Sequence, residues 1–473
     1  MSSIFNKFPR TFWVANTIEL VERFAWYGFF MLFANYLTQS PEFGALGFSQ
    51  SEKGWLMGVG TGILYFLPVI TGAIADAWGY KRVLILSFLI YVSAFLLLPM
   101  MTSFVGVFLM YLYLALGAAL FKPIVSATVA KTTNSETASI GFGIFYMMVN
   151  FGAFLGPLCT MANNNGSYKT IFYISAGIIS LNFLFVLFYN EPKRNETSQN
   201  IIEVFKTTFR NIAEALTDVR FVIFLVLVSG FWAMYHQLFY TLPVFIHQWV
   251  DTSLVYDFFN GICPWITKTY GENGQMQSEF ITNFDAMFII LFQIIISSLV
   301  MRTKAINSMI IGFLVCSIGM ALTLLTQNVI FTIIAIFVFS VGEMMGSPKI
   351  TEYISQIAPK DKVALYMGCS FIPVFLGNIG AGIISGNVYA SVADKERMVR
   401  DLLLDKGLSI SDGLTKNQIF VKACKELSMT KRELTNYLWE TYHPYNIWII
   451  ILSIGLLATL GLIIYDRVLL RKN

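Results

Sequence analysis

The sequence predicts an all-α membrane protein with twelve transmembrane helices in two six-helix bundles and with both termini in the cytoplasm. Three observations carry this prediction: the composition, the spacing of the apolar stretches, and the placement of lysine and arginine. Of the 473 residues, 56% are hydrophobic and only 13% are charged, and the mean hydropathy is +0.65. A soluble domain of this length would not be so apolar.

Apolar stretches long enough to cross a bilayer, which takes about 20 helical residues, follow one another along the chain. They cover residues 11–37, 53–76, 82–101, 104–130, 139–161, 168–190, 219–249, 281–301, 305–326, 328–357, 362–392 and 444–466. The first stretch is longer than a signal peptide and lacks a small-residue cleavage site. We therefore expect it to be a retained span.

Lysine and arginine are concentrated in alternate loops, and the short loops between them hold only Lys53, Lys169 and Lys268. The loops rich in these residues are expected on the inside of the membrane. The sequence thus predicts an integral protein of the plasma membrane, which is the inner membrane in a Gram-negative cell. The net charge of +4 follows from this asymmetry, so we expect a lipid bilayer and no nucleic acid as a partner.

The predicted domain organisation is two bundles joined by a linker. Residues 1–190 form the first bundle, residues 191–218 a cytoplasmic linker with an amphipathic helix, and residues 219–473 the second bundle. The second bundle includes an outside loop, residues 393–443, whose periodicity predicts two or three short helices. Long loops are usually functional or disordered, and here a passive cap is at least as compatible with the sequence as a substrate lid.

Three ionisable residues, Glu19, Glu22 and Arg23, lie inside the first apolar stretch. Spacings of three and four residues place them on one helical face, with Glu19 one turn before Arg23. Each would cost roughly 2.5–3.5 kcal/mol at the bilayer centre if left unpaired. A permanent ion pair that only fixes helix packing is one interpretation. The other is proton binding, because two acids against one base leave a spare carboxylate.

Other residue types indicate little chemistry. The five cysteines and three histidines lack metal spacing, and no nucleophile–base set is visible, so we expect neither a metal nor an enzyme. A disulfide between Cys263 and Cys424 is conceivable because both lie in predicted outside loops. Asp285 is interpreted as a helix cap rather than a pocket group. Glycines 54, 58 and 62, with 377, 380, 382 and 386, predict close helix packing.

Several sequence motifs occur in the spans and in the connection between the second and third spans. They are GAIADAWGYKR (72–82), ELVERFAWYG (19–28), FKP (121–123), FYMMVNFGAFLGP (145–157) and GEMMGSP (342–348). The first resembles the loop motif of the major facilitator superfamily, and the set resembles the proton-dependent oligopeptide transporter family within it. The chain is identified as a divergent, bacterial-type member of that family.

The resemblance implies roles for matching residues. The proton-coupling set would be Glu19, Glu22, Arg23, Lys122 and Glu343, with Glu22 as the first choice for the coupling carboxylate and the proton as the coupling ion. Residues near the substrate would be Trp26, Tyr27, Phe30, Tyr65, Asn150, Trp232, His236 and Ser370. A conformational gate would contain Asp76, Lys81 and Arg82. No other cofactor is implied.

Three positions depart from the family pattern: Phe30 replaces an arginine, His236 an acid, and Ser370 a tryptophan. His236 could switch with proton loading or stay neutral on a hydroxyl such as that of Tyr240. The implied function is proton-coupled import of short or modified peptides by a monomer. The departures favour an alternative cargo, such as an amino-acid conjugate or a small anion. A membrane receptor or assembly partner is a third hypothesis.

Overall fold

The computed structural model describes residues 8–134, 137–162, 167–192, 201–323, 326–359, 362–410 and 413–470. Almost all of its regular structure is helical. We call the end of the molecule that carries the linker the linker face, and the end that carries residues 393–443 the loop face. The sequence predicts that these are the cytoplasmic and outside faces.

The first bundle contains six helical segments that pack on one another, with span 1 against spans 4, 5 and 6 and span 3 against spans 4 and 6. Their bounds are Arg10–Thr38 (span 1), Gln50–Phe66 with Pro68–Trp78 (span 2), Tyr80–Leu97 (span 3), Phe104–Lys131 (span 4), Ala138–Ala162 (span 5) and Tyr168–Ser180 with Asn182–Leu187 (span 6). Short 3₁₀ turns follow spans 1 and 3, at Pro41–Phe43 and Leu98–Met100.

The second bundle has the same number of segments, and spans 9, 10 and 12 pack together while span 7 packs on spans 11 and 12. Their bounds are Val219–Tyr235, Gln237–Tyr240 and Leu242–Trp249 (span 7), Ser278–Thr282 and Phe284–Val300 (span 8), Ala305–Leu322 (span 9), Val329–Ile357 (span 10), Val363–Gly368, Ile372–Ile383 and Tyr389–Val392 (span 11) and Asn446–Ile464 (span 12). π-Helical turns occupy Ile384–Val388 and Tyr465–Leu470.

Eleven helices in the described residues are long and apolar enough to cross a membrane, and span 1 is not among them. At 29 residues it is about 43 Å long, so its length is sufficient. Its four charged side chains, Arg10, Glu19, Glu22 and Arg23, and its polar residues lower its hydropathy. The described residues therefore contain eleven candidate membrane helices, while the twelfth and the location of the termini remain predictions.

Within the described residues, the chain departs from the predicted all-α class at a β-hairpin on the loop face. After the helices Ser253–Ile262 and Pro264–Tyr270, strand Gly271–Glu272 pairs antiparallel with strand Gln275–Met276. Asn273 and Gly274 both have positive φ, 52° and 76°, as a tight hairpin turn requires. An Asn-Gly pair between two strands is a usual sequence signal for this turn.

Residues 393–443 form three helices that we call the strap: Lys395–Asp405, Lys416–Glu426 and Lys431–Tyr442. Capping boxes at Thr415 and Thr430 begin the second and third helices. The strap contacts both bundles. Its third helix is paired with the second bundle through Arg432, 3.3 Å from Asp251.

The strap reaches the first bundle beyond the end of span 1. Thr415 and Asn417 both donate hydrogen bonds to the Glu42 carboxylate, and Lys416 Nζ donates to the Phe48 carbonyl oxygen at 2.8 Å. The bonds from Thr415 and Asn417 lower the pKa of Glu42. The strap therefore joins the two bundles at the loop face.

Spans 2 and 11 cross between the bundles without intervening side chains. A Cβ atom on Gly54 would lie 2.2 Å from the Gly382 carbonyl oxygen, and one on Gly58 would lie 2.8 Å from the Gly382 Cα. Carbon atoms of real side chains do not approach so closely, so only glycine fits at this crossing. The predicted close packing of these glycines is confirmed.

The hydrogen bonds found between the two bundles in the described part of the chain lie toward the loop face. Asn35 Nδ2 on span 1 donates to Glu279 on span 8 at 2.7 Å, and Asn283 Nδ2 donates to the Phe154 carbonyl oxygen at 2.9 Å. Near the linker face, the amphipathic helix Ile201–Ala215 lies between the ends of spans 2 and 11. This conformation is therefore closed at the loop face.

The structure corrects one expectation about a single residue and answers one question that the sequence left open. Lys53 does not lie in a loop, because span 2 begins at Gln50 behind the capping residue Ser49 and buries the lysine completely. Its Nζ donates to the Tyr240 carbonyl oxygen on span 7 at 3.0 Å, which holds the bundles together. Cys263 and Cys424 are both free, so the conceivable disulfide is not formed.

Candidate functional site

The charge cluster of span 1 is buried and joined by a tyrosine of span 3. Two nitrogens of the Arg23 guanidinium bind both oxygens of Glu22, at 2.5 and 2.8 Å, and the Tyr91 hydroxyl donates to the same carboxylate. Arg23 Nε is 3.3 Å from Glu19 Oε1. The expected contact between Glu19 and Arg23, one helical turn apart, is present, but Arg23 is bound more closely by its neighbour Glu22. Glu19 is thus the less compensated carboxylate.

Lys122 on span 4 lies near this cluster, but its ammonium group contacts the face of an aromatic ring. Its Nζ is 4.0 Å from the centre of the Tyr65 ring, a cation–π geometry. Within the described residues it has no carboxylate within ion-pair distance. Arg23 similarly lies 5.9 Å from the centre of the Tyr27 ring. Lys122 is therefore a partly buried cation on the cavity side that an incoming anionic group could bind.

A cavity of about 140 Å³ lies next to the cluster, and both bundles contribute to its wall. Eight of the residues predicted from the sequence line it: Arg23, Trp26, Tyr27, Phe30, Tyr65, Lys122, Trp232 and His236. The remaining lining residues are Thr61, Leu64, Ala118, Tyr235, Phe239 and Val374. Cations and aromatic rings thus converge on one small central space.

Phe30 closes this cavity toward the loop face. It is stacked on Trp26, with ring centres 5.4 Å apart, and it contacts Phe239 and Tyr240 of span 7 at 5.8 and 6.3 Å. The side chain is only 5% exposed. Phe30 therefore belongs both to the cavity wall and to the contact between the bundles.

His236 lies where span 7 breaks between its first two helical pieces. Its Nδ1 is 2.7 Å from the Trp232 carbonyl oxygen and must donate to it, because a carbonyl only accepts. In the neutral ring, Nε2 is then the acceptor. The expected partner Tyr240 instead donates to Asn378 Oδ1 at 2.7 Å. The hydrogen bond of the imidazole is thus with the backbone of its own helix.

Glu343 lies behind the cavity wall. Its Oε1 accepts a hydrogen bond of 2.8 Å from the hydroxyl of Tyr235, which lines the cavity. Its Oε2 is buried and has no hydrogen-bond partner in the described residues. Glu343 and Lys122 do not form an ion pair in this conformation, so an interaction between them remains a prediction for another state.

Two of the predicted substrate residues lie outside the cavity wall. Asn150 donates its amide to the Tyr146 carbonyl oxygen of its own helix at 2.8 Å. Ser370 lies in the break between two pieces of span 11. Neither lines the central cavity. A role for either residue in substrate binding stays a prediction.

In the part of the chain that the structure describes, the predicted gate residues contact the first bundle and Glu191 at the start of the linker, and no residue of the second bundle. Asp76 is exposed and accepts from the Tyr80 hydroxyl at 2.8 Å, while Lys81 Nζ donates to the Leu187 carbonyl oxygen at 3.4 Å. The N-terminus of span 3 is capped by Glu191, which accepts from the Tyr80 backbone nitrogen at 2.9 Å. Arg82 is exposed. A gate at the linker face would therefore have to form in another state.

A much larger cavity, about 1070 Å³, opens at the loop face between spans 7 and 8 and the strap. Its wall carries Lys395, Lys431 and Arg432 together with Asp251 and Glu279. None of the predicted coupling residues lines it. We place the candidate site at the smaller central cavity, because buried charges converge there.

Sequence reasoning missed three groups at the site: Tyr91, Tyr235 and Asp285. Tyr91 and Tyr235 supply the hydroxyls that bind Glu22 and Glu343. A tyrosine inside an apolar span needs a partner for its hydroxyl, which was the available signal. Asp285 is not a helix cap. Its Oδ1 accepts from Ser340 Oγ of span 10 at 2.6 Å.

Comparison with known sequences places the chain among transporters. The Major Facilitator Superfamily pattern matches residues 17–382. Dipeptide and tripeptide permease A of Serratia proteamaculans is 30% identical over 162 residues, which is 33% of this chain and 30% of the relative. The peptide transporter YePEPT of Yersinia enterocolitica is 21% identical over 463 residues, covering 80% of this chain and 87% of the relative. The chain thus spans only about a third of the Serratia permease.

Solved structures share the fold over nearly the whole chain. A POT family transporter in complex with a thioalcohol conjugated peptide has a TM-score of 0.69 at 18% identity, covering 97% of this chain and 96% of that chain. The nucleoside transporter NupG has a TM-score of 0.70 at 14% identity, covering 97% and 100%. At these identities the likeness shows the fold alone. Together with the sequence match, these observations show that the chain belongs to the Major Facilitator Superfamily.

Proposed function

We propose that this protein is a proton-coupled symporter that imports short or side-chain-modified peptides by alternating access of its two bundles. One observation carries the proposal. The central cavity brings two cations, Arg23 and Lys122, against aromatic rings from both bundles, and the spare carboxylate of Glu19 lies against Arg23. A peptide-like solute offers a carboxylate for such cations and apolar surface for such rings.

The relatives support a peptide-like cargo. Two are named for peptide transport, and a POT family transporter of the same fold binds a thioalcohol conjugated peptide. Four motifs that resemble those of the peptide-transporter family also occur here, in spans 1, 4, 5 and 10. We infer a monomer in the plasma membrane, with the linker face in the cytoplasm.

We assign the transported proton in the first bundle to Glu19. Glu22 is held by two bonds from Arg23 and one from Tyr91, so protonating it would break a satisfied arrangement. Glu19 has a single, longer contact to the same guanidinium. Protonating Glu19 therefore breaks fewer contacts than protonating Glu22.

The charge count of the cavity links this proton to the substrate. Two carboxylates, Glu19 and Glu22, balance two cations, Arg23 and Lys122. Protonation of Glu19 leaves one positive charge in excess, and Lys122 is the cation without an ion pair. The substrate carboxylate would then bind Lys122 and neutralise that charge, while the hydroxyl oxygen of Tyr235 lies on the opposite wall as an acceptor for the amine. Proton and anionic group thus enter together.

Alternating access fits the contacts between the bundles. Three contacts close the loop face. They are the crossing of spans 2 and 11, the packing of Phe30 against span 7, and the hydrogen bond from Asn35 of span 1 to Glu279 of span 8. Import requires a second state in which these contacts open and the linker face closes. One proton that moves through about 100 mV contributes about 2.3 kcal/mol, enough for roughly forty-fold accumulation.

A second candidate function is proton-coupled transport of a non-peptide solute. The cavity, at about 140 Å³, is smaller than the roughly 300–1,000 Å³ of most ligand pockets. Phe30 and His236 also occupy the positions where the family pattern has an arginine and an acid. A small anion or an amino-acid conjugate would use Lys122 and the aromatic rings without a second charged pair.

The decisive experiment is uptake by the purified full-length protein in proteoliposomes. Labelled phenylalanyl-alanine would be offered outside, with an imposed pH gradient that is acid outside. Accumulation above the external concentration that disappears with a proton ionophore supports proton-coupled symport. Equilibration without accumulation would exclude coupling, and absence of uptake would exclude this peptide as cargo.

Competition with that uptake should rank solutes by apolar surface. We expect phenylalanyl-alanine and dileucine to inhibit better than dialanine, because Phe30 and Trp26 offer rings rather than a charged pair. Equal or better inhibition by dialanine would contradict this preference. Strong inhibition by a nucleoside or a small carboxylate, with weak inhibition by all three peptides, would favour the second candidate.

Phe30→Leu is the matched variant for this preference. Leucine keeps an apolar side chain at the closure but removes the stack on Trp26. Aromatic pairs are worth about 0.5–1.5 kcal/mol beyond their buried area. The advantage of phenylalanyl-alanine over dileucine should therefore fall by roughly two- to twelve-fold, while uptake of dileucine is retained. An unchanged advantage would show that Phe30 does not contact the substrate.

A further inference from the structure

A second pair of buried acids lies in the other bundle, away from the cluster of span 1. Asp285 lies in the first turn of the long helix of span 8 and is 4% exposed, and Glu343 on span 10 is 9% exposed. Ser340 Oγ donates to Asp285 Oδ1 at 2.6 Å. Ser340 precedes Glu343 by three residues on one helix, and residues so spaced are neighbours on a helix face. Asp285 therefore contacts span 10 about one helical turn away from Glu343.

Neither carboxyl has a basic partner in the described residues. Glu343 Oε1 accepts from Tyr235, while its Oε2 is buried and has no hydrogen-bond partner. No lysine or arginine among the described ion pairs binds either acid. The other ionisable groups near the pair are neutral ones: Tyr27, Tyr146, Tyr235 and Cys316. The pair thus lacks the compensation that Arg23 gives to Glu19 and Glu22.

Two ionised carboxylates cannot persist close together in such surroundings, because burial and the like charge both disfavour the second charge. A proton on Glu343 Oε2 would convert an unpartnered acceptor into a donor. It would also leave Asp285 ionised on Ser340. One proton therefore relieves both the charge repulsion and the missing hydrogen bond.

We infer that Asp285 and Glu343 together hold one transported proton, which lies on Glu343 while the charge of Asp285 favours its binding. This inference rests on the proposed proton-coupled transport. The step is the formation of one O–H bond with a proton from cavity water, and its reversal on release. Tyr235 connects Glu343 to the cavity wall, which gives the pair a path to that water.

The consequence is a coupling ratio of two protons for each substrate, one bound by Glu19 and one by the acid pair. Each proton that is coupled to a neutral substrate multiplies the limiting accumulation by about ten for one pH unit of gradient without a membrane potential. The unmodified protein should therefore approach about hundredfold accumulation under these conditions. Coupling to one proton would limit it to about tenfold.

The test measures that limit in proteoliposomes with phenylalanyl-alanine, a gradient of about one pH unit and the membrane potential clamped at zero. Asp285→Asn keeps an oxygen that can accept from Ser340 but removes the neighbouring charge that favours a proton on Glu343, so the limit should fall about tenfold. Asp285→Glu, which keeps the carboxyl, should retain the limit of the unmodified protein. An unchanged limit in Asp285→Asn would overturn the inference.

A measurement on the unmodified protein does not depend on whether the variants fold. The ratio of proton flux to peptide flux should be two, and a ratio of one would overturn the inference while leaving proton-coupled transport intact. No proton flux with the peptide would contradict the proposed function itself. The two failures are thus distinguishable in one assay.

Discussion

Glu19→Gln should lower the limiting accumulation of substrate about tenfold for each pH unit of gradient, because one coupled proton is lost. Counterflow of substrate should continue. Glutamine has nearly the same size but carries no proton through the cycle. Arg23 keeps its two bonds to Glu22, so the cavity wall is preserved. Counterflow needs only binding and reorientation. Static-head accumulation and counterflow of phenylalanyl-alanine, measured in the same proteoliposomes, separate the two properties.

Glu22→Gln is the matched control, because it changes the neighbouring carboxyl on the same helix. It should also impair counterflow and thermal stability, since it takes the charge from a buried pair with Arg23 and from the Tyr91 hydrogen bond. Breaking one side of a buried pair typically costs about 3–5 kcal/mol. If Glu22→Gln uncouples cleanly and Glu19→Gln retains full accumulation, the proton is carried by Glu22 instead.

Gly54→Ala should prevent complete closure of the loop face and severely reduce transport. The new Cβ would lie 2.2 Å from the Gly382 carbonyl oxygen and 2.6 Å from the Gly386 Cα, both backbone atoms that no side-chain rotation can move away. Overpacking costs about 1–3 kcal/mol. A cost of this size changes a ratio of two conformations by roughly five- to 150-fold.

The population of the closed state can be measured by the distance between spin labels on the two bundles at the loop face. Phe43 and Trp265 are both exposed there and are suitable positions. Gly54→Ala should broaden this distance distribution toward longer values. Gly177→Ala is the control, because a Cβ on Gly177 in span 6 has no atom within 4 Å. Identical distributions in both variants would show that the glycine crossing does not control closure.

The sequence was sufficient for the features that depend on one helix or on a single motif. Eleven apolar spans, the superfamily and the close glycine packing of spans 2 and 11 are all confirmed. Hydrophobic length and small-residue spacing determine these features locally. The cavity wall also contains most of the residues predicted to contact substrate, since their positions along spans 1, 2 and 7 place them on the same side.

Features that depend on contacts between helices could not be predicted in the same way. The spacing indicates a pair between Glu19 and Arg23, but Tyr91 of span 3 binds Glu22 as well and makes that residue the better partner. Lys53 and Asp285 were misplaced for a second reason, because both lie near the start of a helix. A capping box at Ser49 moves Lys53 from a loop into the bundle contact, and Asp285 faces Ser340 of another span rather than its own backbone.

The strap gives the closed state an epitope that separated bundles would lack. Thr415 and Asn417 meet Glu42 across the junction between the bundles, although more than 370 positions separate them in the sequence. An antibody fragment that recognises both sides of this junction would bind only the joined arrangement. Because a ligand shifts an equilibrium by its differential affinity for the two states, such a fragment would arrest the transporter without entering the cavity. Inhibition of this kind is independent of the solute that the protein carries.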